Sequence, residues 1–268
     1  MKNILATLTT IAFLAGCTTN AVTGRKQLVL FPESTLQSEA LTQYQSFLSQ
    51  NKVVASNTSK DAEMVKRVGS RIAAAIGTYY ANNPGVTADL KTYKWEFNLV
   101  DSKEVNAWCM PGGKVVVYTG LLPLTQNEAA LAVVLGHEIT HAIAHHGNER
   151  MSQVTVAQGL AVAGDFFTKN KQQANSIFNS VFAPGAQVAV LLPNSRNQEY
   201  EADHFGLLFC AMAGYNPREA IPFWQRMSAA GGANKPPEFL ATHPSDENRI
   251  ARLNGYMDEA LTYYKPVK

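Results

Sequence analysis

Apolar residues recur at helical spacing in two stretches near the start of the chain: Leu36, Ala40, Tyr44, Phe47 and Leu48 after Ser34, and Val65, Val68, Ile72, Ile76 and Tyr79 after Ser59. Each set falls on one face of a 3.6-residue period, and Ser59 stands where an N-cap belongs, so the pattern predicts two amphipathic helices packed on a core. Asn82-Asn83-Pro84-Gly85 breaks the second. The period then changes to two, with Trp95, Phe97 and Leu99 alternating with Lys94, Glu96 and Asn98 as in a half-buried strand. Asn106 to Met110 and Val115 to Tyr118 read as further strands around the turn Pro111-Gly112-Gly113, which gives a small antiparallel sheet.

Helical signals resume at Thr125 and Glu128, which have the spacing of a capping box ahead of the apolar run Ala129 to Leu135, and this helix is expected to continue to about Gly147. Residues 151–193 are rich in Ala, Val and Phe, interrupted by Gly159, Gly164, Pro184 and Gly185, and predict helices too short to span a bilayer. Ser195 and Gln198 repeat the capping-box spacing at the start of a helix ending at Gly214. Asn216-Pro217 opens another that stops at Gly231-Gly232, and a last one, after Ser245, carries Ile250, Leu253, Met257 and Leu261. With no internal repeat or low-complexity linker, the fold class is α+β, mostly helical, in a single domain over residues 33–268.

The first sixteen residues change that picture, because Lys2 followed by the apolar run Ile4 to Leu14 reads as an export signal rather than structure. Leu14-Ala15-Gly16-Cys17 resembles the bacterial lipobox, so residues 1–16 are expected to be a lipoprotein signal peptide, Cys17 the lipidated residue, and 17–32 the tether. A chain of 268 residues, 46% hydrophobic and 16% charged, has the composition of an ordinary globular protein. Its 23 Lys and Arg against 21 Asp and Glu are too balanced to steer it toward nucleic acid. Cys109 and Cys210 read as buried small hydrophobes rather than a disulfide framework.

Chemistry enters at His137-Glu138-Ile139-Thr140-His141. Two histidines at i and i+4 project from one helix face with side-chain origins about 6 Å apart, which suits two imidazoles sharing one zinc ion. Glu138 lies beside them, placed to take a proton from water activated by the metal. The residues before the motif, Leu131, Val133, Val134 and Leu135, mark a buried helix, where ionisable side chains need partners such as a metal. Catalytic zinc keeps three protein ligands, so a third is required. The H-E-x-x-H-x-x-G-x-x-H pattern is excluded because residue 144 is Ala and residue 147 is Gly. Glu199 and Asp203, one turn apart on the helix opened by Ser195, supply instead a carboxylate ligand and a second carboxylate to hold a histidine, expected to be His137, by its other ring nitrogen. Glu201 competes as a ligand but points about 200° around the helix from Glu199. His145, His146 and His204 are expected to face solvent.

Together with Val22-Thr23-Gly24-Arg25-Lys26-Gln27-Leu28, Asn106-Ala107-Trp108, Pro111-Gly112-Gly113, Thr242-His243-Pro244 and Arg249, these motifs resemble the gluzincin zinc peptidases that include the CAAX prenyl protease, HtpX, the Oma-type mitochondrial protease and bacterial lipoproteins such as LoiP and BepA. The resemblance covers about Ala21 to Arg249. It implies a zincin-like fold with the small antiparallel sheet over the active-site helix, and one zinc per chain held by His137, His141 and Glu199. It further implies that Asn106 and Ala107 begin an edge strand against which an extended substrate lies. For His243 it leaves three roles open: a fourth ligand in a resting state, a donor to the oxyanion, or a structural histidine. Arg249 is expected to orient the site or brace a helix. One departure stands out, since His204 follows Asp203 where that group commonly has Arg.

The expected function is a zinc endopeptidase of the bacterial cell envelope, lipid-anchored and facing the periplasm, with Thr18 favouring the outer membrane. It would cleave misfolded or unassembled proteins, taking extended or unfolded polypeptides as substrates and no nucleic acid. The competing expectation is a chaperone-like envelope assembly factor with a latent zinc site.

Overall fold

A computed structural model describes residues 17–160, 170–184, 194–230, 237–243 and 248–266. The expected leader lies outside these residues, as do Gly164, Gly185, Gly231-Gly232, Pro244 and Ser245, with the helix boundaries assigned to them. The chain opens with a hairpin of β1 (Cys17–Thr19) and β2 (Lys26–Leu28). Helices α1 (Glu33–Gln50) and α2 (Lys60–Tyr79) follow, bracketing the two-residue strand β3 (Val53–Val54). Their apolar stripes are the buried ones expected: Leu36, Ala40 and Tyr44 in α1, and Val65, Val68, Ile72 and Ile76 in α2. Ser59 caps α2 by accepting from the Ala62 amide. Asn83-Pro84, expected only as a break, also starts α3 (Pro84–Leu90), with Asn83 as N-cap and Pro84 at the first helical position, where its missing N–H costs nothing.

Strands β4 (Glu96–Val100), β5 (Ala107–Met110) and β6 (Lys114–Tyr118) join β3 in a sheet of order β3-β4-β6-β5. The β3–β4 and β5–β6 pairs are antiparallel, while β4 and β6 run parallel. The parallel pair arises because the chain leaving β4 passes to the sheet edge as β5 and only then turns back through Gly112 and Gly113, both at positive φ, to place β6 in the centre. Strand β6 is covered on both faces, which explains its unbroken apolar run. Val115 and Val117 enter one core with α2, while Val116 and Tyr118 enter a second with α1.

The remaining α-helices among the described residues are α4 (Leu122–Thr125), α5 (Glu128–Ile143), α6 (His146–Ala157), α7 (Lys171–Phe182), α8 (Ser195–Met212), α9 (Ala220–Ala230), α10 (Glu238–Thr242) and α11 (Arg249–Tyr263). Helix α5 runs under β5 and is crossed by α8. The crossing is close because Gly136 and Gly206 meet there: a β-carbon on Gly206 would stand 2.6 Å from the His137 amide nitrogen. Neither expected capping box forms. The Thr125 hydroxyl bonds back to the Leu122 carbonyl, Gln126 turns left-handed at φ 65°, and Asn127 caps α5 instead. At α8 the N-cap position is held by Asn194, left-handed and making no side-chain bond to the helix amides, while Gln198 is drawn inward to Glu149 and Arg150. Nor does α5 reach Gly147, since it stops at Ile143 and the chain turns at His145 (φ 53°) into α6.

The segment expected as a tether is docked instead. Asn20 donates to the Ala144 carbonyl at the end of α5, Phe31 is buried, and the Phe31 carbonyl accepts from Asn148. Among the described residues the three cysteines are free and no helix is long and apolar enough to cross a membrane.

Candidate metal centre

Helix α5 presents His137 and His141 on one face, with Nε2 atoms 3.1 Å apart. The Gly136–Gly206 crossing brings α8 close enough for Glu199 to reach both: its Oε2 lies 3.3 Å from His137 Nε2 and its Oε1 3.4 Å from His141 Nε2. His243, just past α10, completes the group, with Nδ1 3.2 Å from His137 Nε2 and 3.1 Å from Glu199 Oε2. Donors held about 2.1 Å from the centre of a tetrahedron stand about 3.4 Å apart, so this spacing fits one zinc-sized ion. Two or three imidazoles with one carboxylate are also the donor chemistry zinc takes, and all four side chains are buried with donor atoms within 4.8 Å of one another.

The electrostatics agree. Burial lowers the affinity of His137 for a proton, but Asp203 and Glu199 outweigh it and push the ring up to about 9. The same carboxylates would favour a divalent cation at the donor group in place of that proton. Burial also works against the charged form of Glu199, yet His243, His141 and His137 hold it well below the usual carboxylate range. Glu138 lies beside the group, its Oε1 3.4 Å from His243 Nε2 and without a hydrogen-bond partner among the described residues. Burial, the largest influence on it, pushes this carboxyl up.

Behind the donors, Asp203 Oδ1 lies 3.0 Å from His137 Nδ1, the placement expected of it, and accepts from Arg249 Nη2 at 2.5 Å. The Arg249 guanidinium rests 3.3 Å from the ring centroid of Trp224. His145 and His146 depart from expectation. His146 is fully buried, with Nδ1 2.9 Å from His141 Nδ1, because the break at His145 turns α6 back beneath the site. His145 sits between Glu33 (3.1 Å) and Asp89 (3.3 Å). Glu201, as expected, does not reach the donor group and instead meets His146 and Arg25. His204 stacks on Tyr256 and pairs with Glu259 near the surface. Arg150 was not anticipated: it is buried, with Nη2 3.4 Å from Glu199 Oε1, and nothing in the spacing across the α5–α6 break points to it.

A cleft runs from this group along β5, lined by Asn106 to Pro111 on one side and Glu138, His141, Arg150 and His243 on the other. β5 is the outer strand of the sheet, so its far edge is unpaired within the sheet. Asn106 itself is turned inward, its carbonyl accepting from the Tyr118 amide and its side chain from the Ala107 amide. Cys17 is exposed on β1.

A helix carrying two histidines and a glutamate, crossed by a second helix that adds one carboxylate to the group and one behind it, beneath an edge strand, defines a zincin-like metallopeptidase centre. The chain belongs to Peptidase family M48, whose model matches residues 59–257. It is 36% identical over 185 residues to the mitochondrial metalloendopeptidase OMA1 of Arabidopsis thaliana, covering 68% of this chain and 36% of that protein. Bos taurus OMA1 is 30% identical over 248 residues, 90% of this chain and 46% of that protein. The beta-barrel assembly-enhancing protease of Yersinia pestis is 30% identical over 183 residues, 65% of this chain and 37% of that protein. The chain thus spans between about a third and about a half of the length of these relatives.

Proposed function

We propose that this chain is a zinc-dependent endopeptidase of the bacterial cell envelope that cleaves misfolded or unassembled proteins. The observation that carries the reading is the convergence of His137, His141 and Glu199 at zinc-ligand spacing, with Glu138 Oε1, which makes no hydrogen bond among the described residues, at the same end of the cleft. Bound there, zinc supplies the Lewis acidity that brings the pKa of a water toward about 7. With the metal bound, the Glu138 carboxylate would take the proton of the attacking water and return it to the leaving amine, roles suited to a carboxyl that burial raises. An extended polypeptide pairs its backbone with the free edge of β5, a mode that selects unfolded chain over folded and asks little of side chains. Ala107 opens that strand, and Asn106, just before it, ties it to β6 by accepting from the Tyr118 amide. Asp203 fixes the His137 tautomer.

The envelope location rests on the Lys2–Leu14 leader and the lipobox ending at Cys17, which would anchor the chain facing the periplasm, with Thr18 favouring the outer membrane. Similarity to a beta-barrel assembly-enhancing protease supports that compartment, while similarity to mitochondrial OMA1 supports the chemistry alone.

The second reading is favoured by one specific contact: His243 Nδ1 joins the donor group as a fourth member, and a catalytic zinc needs a position left open. In that reading the site is latent and the chain serves envelope assembly as a chaperone, or works only when His243 withdraws. Zinc content and casein cleavage in the wild type, Glu138→Gln and His243→Ala separate the two. The peptidase reading expects zinc in all three and a loss of cleavage of about 10²–10⁴-fold in Glu138→Gln. Cleavage that survives Glu138→Gln would refute it, and cleavage only in His243→Ala identifies the latent site.

A further inference from the structure

The two helix-borne histidines are held from behind in different ways. His137 is backed by one carboxylate, Asp203, itself paired with Arg249 from α11. Among the described residues, His141 meets no carboxylate at Nδ1. Its partner is His146 Nδ1 at 2.9 Å, and His146 Nε2 lies 2.9 Å from Glu201 Oε2. Glu201 Oε1 then accepts from Arg25 Nε at 2.7 Å, and the two terminal nitrogens of Arg25 donate to Glu149 at 2.8 and 2.6 Å.

Proton bookkeeping along this line runs one way. A carboxylate only accepts, so Glu201 requires the proton of His146 to be on Nε2. His146 Nδ1 is then an acceptor, which requires a proton on His141 Nδ1 and leaves the lone pair of His141 Nε2 directed at the donor group. Arg150 Nη2, 3.4 Å from both His141 Nδ1 and Glu199 Oε1, therefore donates to the carboxylate. Glu201 sets the direction of the line, and Arg25 holds Glu201 in place, its planar fork bridging Glu201 and Glu149 as a lysine ammonium does not.

Building on the reading of His141 as a metal ligand, we propose that Arg25 is a positioning residue of the metal centre, which through Glu201 and His146 fixes the tautomer and ring plane of His141. The N-terminal hairpin is thereby a working part of the site rather than a tether. Asn20 docks the same hairpin by donating to Ala144 O at 2.9 Å, while its Oδ1 accepts from the Val22 and Thr23 amides in the turn that leads to Arg25, so its loss reports on docking and the loss of Arg25 or Glu201 on the relay.

The test uses the full chain with Arg25→Met, Arg25→Lys, Glu201→Gln and Asn20→Ala. Zinc affinity is read by competition with a chromophoric chelator, the geometry by the visible absorption of the Co(II)-loaded protein, and folding by circular dichroism of the metal-free form. Arg25→Met and Glu201→Gln are expected to weaken zinc binding about 10–100-fold and to shift the Co(II) bands. Arg25→Lys is expected to recover part of the loss, and Asn20→Ala to leave affinity and spectrum as in the wild type. Glu201→Gln is isosteric, so it carries the test if Arg25→Met fails to fold. Unchanged affinity and Co(II) spectrum in folded Arg25→Met and Glu201→Gln would overturn the proposal, and so would an equal loss in Asn20→Ala, which would make the effect one of docking. A wild type that takes up no zinc overturns the metal reading itself, and this proposal with it.

Discussion

The Asp203–Arg249 pair offers the sharpest energetic test of the site. Both side chains are buried, at 5% and 1% exposure, and the 2.5 Å contact between Arg249 Nη2 and Asp203 Oδ1 compensates the guanidinium charge. Breaking such a pair from one side costs about 3–5 kcal/mol, since the survivor stays charged without its partner. Asp203→Ala is therefore expected to lower the melting temperature of the metal-free chain by about 6–20 °C, at roughly 2–4 °C per kcal/mol for a protein of this size. Adding Arg249→Met removes the stranded charge. The thioether takes over the face of Trp224, now covered by the guanidinium, in a contact of about 0.3–1.5 kcal/mol. The double variant should thus melt above Asp203→Ala while still binding zinc weakly, because His137 has lost its support. Calorimetry on chelator-treated wild type, both single variants and the double closes the cycle. A double variant melting at or below Asp203→Ala would show that burial of an unpaired charge is not what sets the cost.

Two further outcomes follow from packing and charge. Gly206→Ala inserts a methyl group 2.6 Å from the His137 amide nitrogen at the α5–α8 crossing, where only backbone can yield. It is expected to cost about 1–3 kcal/mol or more and to weaken zinc binding, whereas a variant with wild-type melting and affinity would mean that the crossing does not set the ligand spacing. His145 is the pH-sensitive element: burial opposes its charge, but Asp89 and Glu33 outweigh it and push the ring up to about 10. A histidine raised in the folded state contributes stability that is complete below its unfolded pKa of about 6.5 and is lost as pH rises through the folded value. The melting-temperature gap between wild type and His145→Asn, which tolerates the left-handed backbone, should be widest at or below pH 6 and close by pH 10 or a little above. A gap independent of pH would contradict the charged pairing.

What the sequence disclosed was whatever one element encodes by itself. His137, Glu138 and His141 lie within a single helix turn and a fraction, and Glu199 with Asp203 within another, so spacing alone placed them. The stripes of α1 and α2 were legible for the same reason. What it hid depends on where the chain changes direction. His145-His146 looks like a frayed helix end until the left-handed residue at position 145 turns His146 beneath His141. Thr125 and Glu128 have capping-box spacing, but Gln126 in αL geometry hands the cap to Asn127. The parallel β4–β6 pair depends on β5 taking the sheet edge, a choice made by tertiary packing. Arg25 was visible only as one letter of a family motif, because its partners Glu149 and Glu201 lie 124 and 176 residues away.

That separation bears on how the protein is made. The residues that hold His141 in place begin at Arg25, and those that hold His137 end at Arg249, so the supported site draws on segments 224 residues apart (249 minus 25). A nascent chain can display the H-E-I-T-H helix and still lack the buttress of its first histidine, so the supported centre forms only once Arg249 has emerged. Metal acquisition then becomes a late event in biogenesis, following tertiary closure, and hydrolytic chemistry waits on a completed fold.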